Sequence, residues 1–224
     1  MQKISETRSS DSPFVQSVTR VRYTGESIDV EPPDGHWAMV FLKHHDQTQI
    51  LHTGTVTKPV TLRFEKDDEY MGITFKPSTF LPRFPAKQLV NTGMFLHVLN
   101  KRKFWLENDV WEIPSFDNTE VLVKKLVDKR LLATDDIVDR ILRDLPKAFS
   151  IRSMQRHFMQ TTGITLKYFR QIQRAREAST LLQTGTTPLE AALATGYYDQ
   201  AHMTNSLKKI IGKTPAALVQ SGAR

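Results

Sequence analysis

The feature that most constrains this chain is an internal repeat. Met154, Phe158, Gly163, Thr165 and Phe169 recur as Met203, Leu207, Gly212, Thr214 and Leu218 at a constant offset of 49 (203 minus 154). Apolar residues four apart share one face of a helix, so each copy predicts a helix with a buried stripe. In the first copy a helix from about Asp136 to Asp144 leads through a turn at Leu145 to Phe149 into a second helix. That second helix is capped by Ser150 and runs through IRSMQRHFMQTT to Gly163. In the second copy Thr187 is the N-cap, Pro188 the first helical residue and Glu190 the third, which completes a capping box. This helix is short, because ALATG ends in Gly196, a residue suited to left-handed turn geometry. Asp199 to Ile211 then carries Met203, Leu207 and Ile210 or Ile211 at helical spacing. Ala192, four residues before Gly196, leaves room for two helices to cross closely.

Each copy therefore predicts helix, turn, helix, the arrangement that places a second helix in the DNA major groove. Between the copies, Leu166 to Gln183 predicts a connector helix. Phe169, Ile172, Ala175 and Leu182 lie on one of its faces, and Lys167, Arg170 and Arg174 on another. A rigid connector can hold two recognition helices in successive groove segments about one turn apart, roughly 34 Å along the axis.

Upstream the period changes. SVTRVRY, HWAMVFLKH, TQILHTGTV, PVTLRFE and EYMGITFK are short, β-branched or aromatic runs separated by PPDG, Gly54 and KDD. They predict a mostly antiparallel β domain, with a short helical turn at STFLPRF and an irregular or helical segment at LVNTGMFLHVL. From Asn118 the residues Val121, Leu122, Leu126, Leu131 and Leu132 fall on a helical face that either packs on the β domain or forms a dimer seam. The Ser-rich start lacks apolar periodicity and is expected to be disordered. The expected fold is α+β: a disordered N-terminus (1–16), a β-rich, barrel-like regulatory or sensor domain (17–117), a linker helix (118–133) and an all-α domain (134–224) with two helix-turn-helix units.

Charge follows this division. The chain of 224 residues has a net charge of +7. Residues 146 to 224 hold 11 Lys or Arg against Glu177, Glu190 and Asp199, a net of +8, which leaves −1 for residues 1 to 145. A basic excess interleaved with a folded helical pattern suggests a polyanionic partner, nucleic acid before membrane, although a solvated surface would look the same. No Cys is present, so disulfides, thiolate metal sites and a Cys nucleophile are excluded. No apolar run reaches the about 20 residues of a membrane span, and a cytoplasmic location is expected.

The segments SIRSMQRHFMQTTGIT, RQIQRAREASTLL and GYYDQAHMTNSLKKIIGKTP resemble the AraC family of bacterial transcription regulators over about residues 134 to 220. PDGHWAMVF and GITFKPSTFLPRFPAKQLVN resemble, more loosely, the β-rich N-terminal domain of one AraC subgroup. The resemblance implies a non-enzymatic, sequence-specific DNA-binding regulator. With Met154 and Phe158 inward, Arg152, Ser153, Gln155 and Arg156 are the base-reading candidates of the first copy, since Arg pairs with guanine and Gln with adenine. Arg152 and Arg156 could instead hold phosphates or solvate a surface. Gln200, Ala201, His202 and Asn205 are the corresponding positions of the second copy, where His202 could instead brace the turn. Lys167, Arg170, Arg174, Lys208, Lys209 and Lys213 suit phosphate contacts, which set affinity and register.

This chain departs from the family pattern in several places. Arg143 and Lys147 stand where the second copy has Ala192 and Gly196, so the first unit is expected to be irregular. Asn205 stands where many relatives carry Arg, and Tyr198 replaces a small polar N-cap, which passes that role to Asp199.

Expected partners are double-stranded DNA, a candidate small-molecule effector, a candidate second copy of the chain and, for an activator, RNA polymerase; no cofactor and no membrane is expected. Trp37, Phe41, Phe64 and Phe75 are candidate effector-pocket residues, although aromatic residues in a β domain are commonly plain core. Regulation through protein contacts alone is a second reading. A third is a cupin-like metal enzyme using His36, His44, His45 and His52. Against it, adjacent His44 and His45 would point to opposite faces of a strand and could not share an ion, so no metal site is expected. Neither a Gly-x-Ser-x-Gly elbow nor a Gly-rich phosphate loop is present.

Overall fold

The computed structural model describes residues 2–145 and 149–222. Its N-terminal part contains four antiparallel sheets among the described residues. The largest has the order β1-β2-β7-β4-β5-β9, formed by β1 (Lys3–Arg8), β2 (Val15–Tyr23), β7 (Glu69–Phe75), β4 (Ala38–His44), β5 (Gln47–Thr53) and β9 (Gly93–Leu96). Alternation along these strands turns one face inward. The paired row Val18, Ile73, Met39 and His52 crosses four strands and is buried throughout. Smaller sheets pair β3 (Ser27–Glu31) with β6 (Val60–Phe64), and β8 (Thr79–Phe80) with β13 (Ala133–Thr134). The last joins β10 (Val98–Asn100), β11 (Lys103–Leu106) and β12 (Asp109–Glu112).

Helix α1 (Ala86–Leu89) precedes β9, and α2 (Thr119–Asp128) follows β12. Leu122, Val123 and Leu126 of α2 bury into the same core as Phe75, Phe104 and Ile50, so this helix packs on the β domain and its apolar stripe is not a free dimer seam. Val121, which points away, is exposed.

Three expectations are corrected. The N-terminus is not disordered: β1 pairs with β2 from Lys3↔Tyr23 to Arg8↔Val18. Arg8 anchors it by donating to both carboxylate oxygens of Glu120 at 2.7 and 2.9 Å and to the Phe116 carbonyl at 2.7 Å. A contact with a residue so distant in the chain leaves no local signal. Residues 93–96, expected to be irregular or helical, form β9, because their backbone completes the ladder along β5. Residues 79–80, expected in a helical turn, pair with β13 instead.

A second core belongs to the helices α3 (Asp136–Leu142), α4 (Ile151–Thr162), α5 (Leu166–Gln183), α6 (Pro188–Ala194), α7 (Gln200–Ile210) and α8 (Pro215–Gly222). The repeat holds in three dimensions. Met154 and Met203, Phe158 and Leu207, and Phe169 and Leu218 are all buried, while Gly163 and Gly212 both adopt left-handed φ, 74° and 77°. Thr165 caps α5 through Tyr168 N, and its repeat partner Thr214 accepts from Ala217 N at the start of α8. α5 is the spine of this unit: Ile172, Ala175, Ala178 and Leu182 are fully buried among α6, α7 and α8.

Candidate nucleic-acid interface

The start of α4 is fixed by Ser150, whose hydroxyl accepts from Ser153 N. With Met154 and Phe158 buried, Arg152, Gln155 and Arg156 are exposed and Ser153 half-buried on the other side of the helix. The four base-reading candidates of the first copy thus occupy one accessible surface. His157 sits at its edge, and its Nδ1 lies 2.6 Å from Asp135 Oδ2. Asp135 Oδ1 meanwhile accepts from Ile137 N and Val138 N, capping α3. A single carboxylate therefore starts the first helix of the unit and ties it to the second.

The second unit is assembled by different chemistry at an equivalent place. Thr187 and Glu190 form the predicted capping box of α6, and Gly196 has φ 71° in the turn. Asp199, not Tyr198, caps α7 by accepting from His202 N at 2.7 Å. Ser206, which stands 49 residues after His157, accepts from the Tyr197 hydroxyl at 2.9 Å. Gln200, Ala201, His202 and Asn205 are exposed on α7. The His202 ring stands edge-on to Tyr197 at 5.2 Å, a bracing contact that leaves its outer edge in solvent.

The first unit has the longer connection: α3 ends at Leu142 and α4 begins at Ile151, whereas only residues 195–199 separate α6 from α7. Arg143 ends α3 with its side chain on Asp139 at 2.9 Å, so it does not occupy a close helix crossing as Ala192 does. Lys147 lies outside the described residues.

Of the phosphate candidates, Lys167, Lys208, Lys209 and Lys213 are exposed. Arg170 is exposed and reaches Asp144 at 3.3 Å. Arg174 is half-buried, lies 5.3 Å from the Tyr197 ring centre and donates to the Gly196 carbonyl. It braces the second turn as much as it faces solvent.

The sequence reading missed how the β domain grips this unit. The PPDG segment, read as a turn, docks on α5: the Asp34 carbonyl accepts from Gln173 Nε2 at 2.6 Å and the Pro33 carbonyl from Arg176. A Cβ on Gly35 would lie 2.8 Å from the Phe169 ring, so only glycine allows this approach. His36 stands edge-on to Phe169, and burial holds its imidazole below its ordinary pKa. A second loop contributes Thr55, which donates to the Thr162 carbonyl at the end of α4, and the Thr57 carbonyl, which accepts from the Tyr168 hydroxyl.

Three of the four aromatic effector candidates, Trp37, Phe41 and Phe75, belong to one buried core, and Phe64 lies apart from it. Trp37 stacks on Phe75 at 3.9 Å inside the core, and Phe64 stacks on Tyr23 at 4.0 Å beside another sheet. Phe41 borders a cleft of about 530 Å³, with Met71 and Phe116 among its apolar residues and Arg20, Arg22, Lys43 and Lys101 among its charged ones, together with Glu6 and Glu69, which pair with Arg20 and Lys43.

The four histidines of the enzyme alternative occupy separate settings. His36 is at the domain contact, and His52 is buried between Trp37 and Phe84 with no partner for Nδ1. His44 and His45 correct the strand argument. His45 has φ 51° in the hairpin turn, outside the strand, so the two rings lie on the same side with centres 4.3 Å apart.

Residues 148–221 match a family model described as a helix-turn-helix domain. No curated protein matches the chain in sequence. Solved structures with a similar course include ToxT from Vibrio cholerae O395 bound to (E)-4-(8-methylnaphthalen-1-yl)but-3-enoic acid, at 9% identity and a TM-score of 0.41, covering 99% of this chain and 100% of that one. A 1.65 Å structure of ToxT from Vibrio cholerae aligns at 11% identity and a TM-score of 0.40, covering 99% of each chain. Unsaturated fatty acid bound ToxT from strain SCE256 aligns at 9% identity and a TM-score of 0.38, covering 97% and 94%.

Proposed function

We propose, for a DNA-binding transcription regulator whose C-terminal domain is an AraC-type helix-turn-helix, that operator sequence is read chiefly by Arg152, Ser153, Gln155 and Arg156 of α4. The observation that carries this reading is the division of α4: a capped helix with Met154 and Phe158 buried and two Arg and one Gln exposed opposite them. Arg and Gln can each make bidentate pairs with a base edge. Gln200, Ala201, His202 and Asn205 of α7 make the second, weaker set, since Asn205 lacks the reach and charge of Arg. Lys167, Arg170, Lys208, Lys209 and Lys213 contact phosphates, with Arg174 divided between that role and its brace.

Residues before about 134 form the regulatory part, and helices from 134 onward the DNA-binding part. The existence of two separate cores supports this division. Effector sensing is assigned to the cleft beside Phe41, which pairs an apolar wall with a rim of both basic and acidic side chains. Homodimerisation and, at activated promoters, contact with RNA polymerase complete the proposed partners. Among the described residues no helix is long and apolar enough to cross a membrane.

The test is selection of genomic DNA fragments by purified protein at near-physiological salt, beside an Arg152→Ala, Arg156→Ala double variant. A defined motif lost by the variant supports readout by α4. A motif retained by the variant moves readout to α7. Salt-sensitive binding with no motif makes the protein a degenerate DNA binder.

A further inference from the structure

We propose that His44, His45 and Glu65 bind one divalent transition-metal ion of borderline softness, such as Zn²⁺, at the end of the β domain where two turns meet. One ligand atom from each of the three side chains lies within 4.8 Å of the others. His44 is the last residue of β4, and Glu65 directly follows β6. His45 joins them because its left-handed backbone, φ 51°, brings its ring to the side occupied by His44. Its Nε2 is 3.6 Å from Glu65 Oε2, so the two atoms face a common point.

The ligands are held from behind by Asp68, whose side chain is 8% exposed. Asp68 Oδ1 lies 2.7 Å from His44 Nδ1, which leaves Nε2 of that ring as the nitrogen available to a metal ion. Asp68 Oδ2 accepts from the backbone N–H of Glu65 at 2.7 Å. One buried carboxylate thus positions two of the three ligand-bearing residues, the carboxylate–histidine support that metal-binding imidazoles characteristically have. Two imidazoles and a carboxylate suit zinc, cobalt or nickel and disfavour calcium and magnesium, which take all-oxygen sets. All three ligands are exposed, so water completes the coordination. The ion would link the β4–β5 turn to the end of β6, pinning the small β3–β6 sheet to the large one.

The experiment is calorimetric titration of untagged, metal-free, full-length protein with Zn²⁺. The expected result is saturation at one equivalent, a higher Tm with the ion bound, and binding weakened at least tenfold in His45→Ala and in Glu65→Gln. Both are exposed substitutions, and circular dichroism checks that the variants fold. Asp68→Asn, which keeps the shape of the side chain, is expected to weaken binding by about tenfold to a hundredfold. Failure to saturate at one equivalent, or equal affinity in His45→Ala and Glu65→Gln, overturns the proposal.

Discussion

His157 Nδ1 and Asp135 Oδ2 stand 2.6 Å apart, and the other oxygen of the same carboxylate caps α3. Removing the carboxylate therefore unfastens a helix start and a helix-to-helix tie together. Asp135→Ala is expected to lower stability by about 2 kcal/mol, combining a lost cap with a lost part-buried hydrogen bond. Urea unfolding measures it. A change below about 0.5 kcal/mol would show that the pair does not hold the first unit together.

Base and phosphate contacts should separate by their response to salt. Lys208→Ala is expected to weaken binding at all sequences alike and to reduce the salt slope by about 1. Arg152→Ala should instead cost about 1 to 3 kcal/mol at the cognate site and relax discrimination there. Titrations against cognate and scrambled duplexes at several salt concentrations compare the two. Equal losses on both duplexes for Arg152→Ala would demote that residue to a phosphate contact.

Acid sensitivity should arise from His52. Burial pushes its imidazole down to about 4 from an ordinary 6.5, so the fold retains the neutral form while the unfolded chain takes up a proton first. Its contribution is intact above about pH 6.5 and is lost progressively as pH falls from there towards 4, by up to about 3 kcal/mol. His36 shifts in the same direction. Glu120 acts lower: the Arg8 guanidinium holds its carboxylate at about 2, so that contribution is present above about pH 4.5 and lost as pH falls through 2. Unfolding free energies between pH 7.5 and 5 should decline in the parent and stay flatter in His52→Leu. Parallel slopes would remove His52 as the cause.

The clamp on the connector helix is tested at Gly35. Gly35→Ala would drive a methyl group to 2.8 Å from Phe169 at a backbone φ of 76°. It is expected to cost about 1 to 3 kcal/mol and to speed amide exchange over residues 166–176 several-fold. Unchanged exchange there would show that the PPDG contact does not restrain α5.

The helical unit was legible because its signals are local. Ser150, Thr187, Pro188 and Gly196 act within a turn of their own positions, and the 49-residue repeat repeats a burial pattern as well as a sequence. What escaped depends on partners far along the chain. Arg8 meets Glu120 across 112 residues, and the Asp34 carbonyl meets Gln173 across 139. Neither pair has any periodicity to detect. The histidine pair escaped for another reason: strand alternation applies only while the backbone is extended, and His45 has left the strand. The aromatic residues Trp37 and Phe75 were legible as apolar, but their type could not separate a pocket wall from a stacked core pair.

The β domain also approaches both repeat copies at corresponding glycines. A Cβ on Gly163 would meet the Ala86 carbonyl, and one on Gly212 would approach Pro59. The ends of both recognition helices thus rest on a single third body in addition to their shared connector. An assembly braced in this way cannot follow a change in helical phase. One extra base pair between the two half-sites rotates the second groove by about 35°, one tenth of a turn, and shifts it along the duplex. For the two-helix readout proposed above, operators are expected to keep a constant spacing while their sequences vary, and an insertion between half-sites is expected to be more damaging than a mismatch within either one.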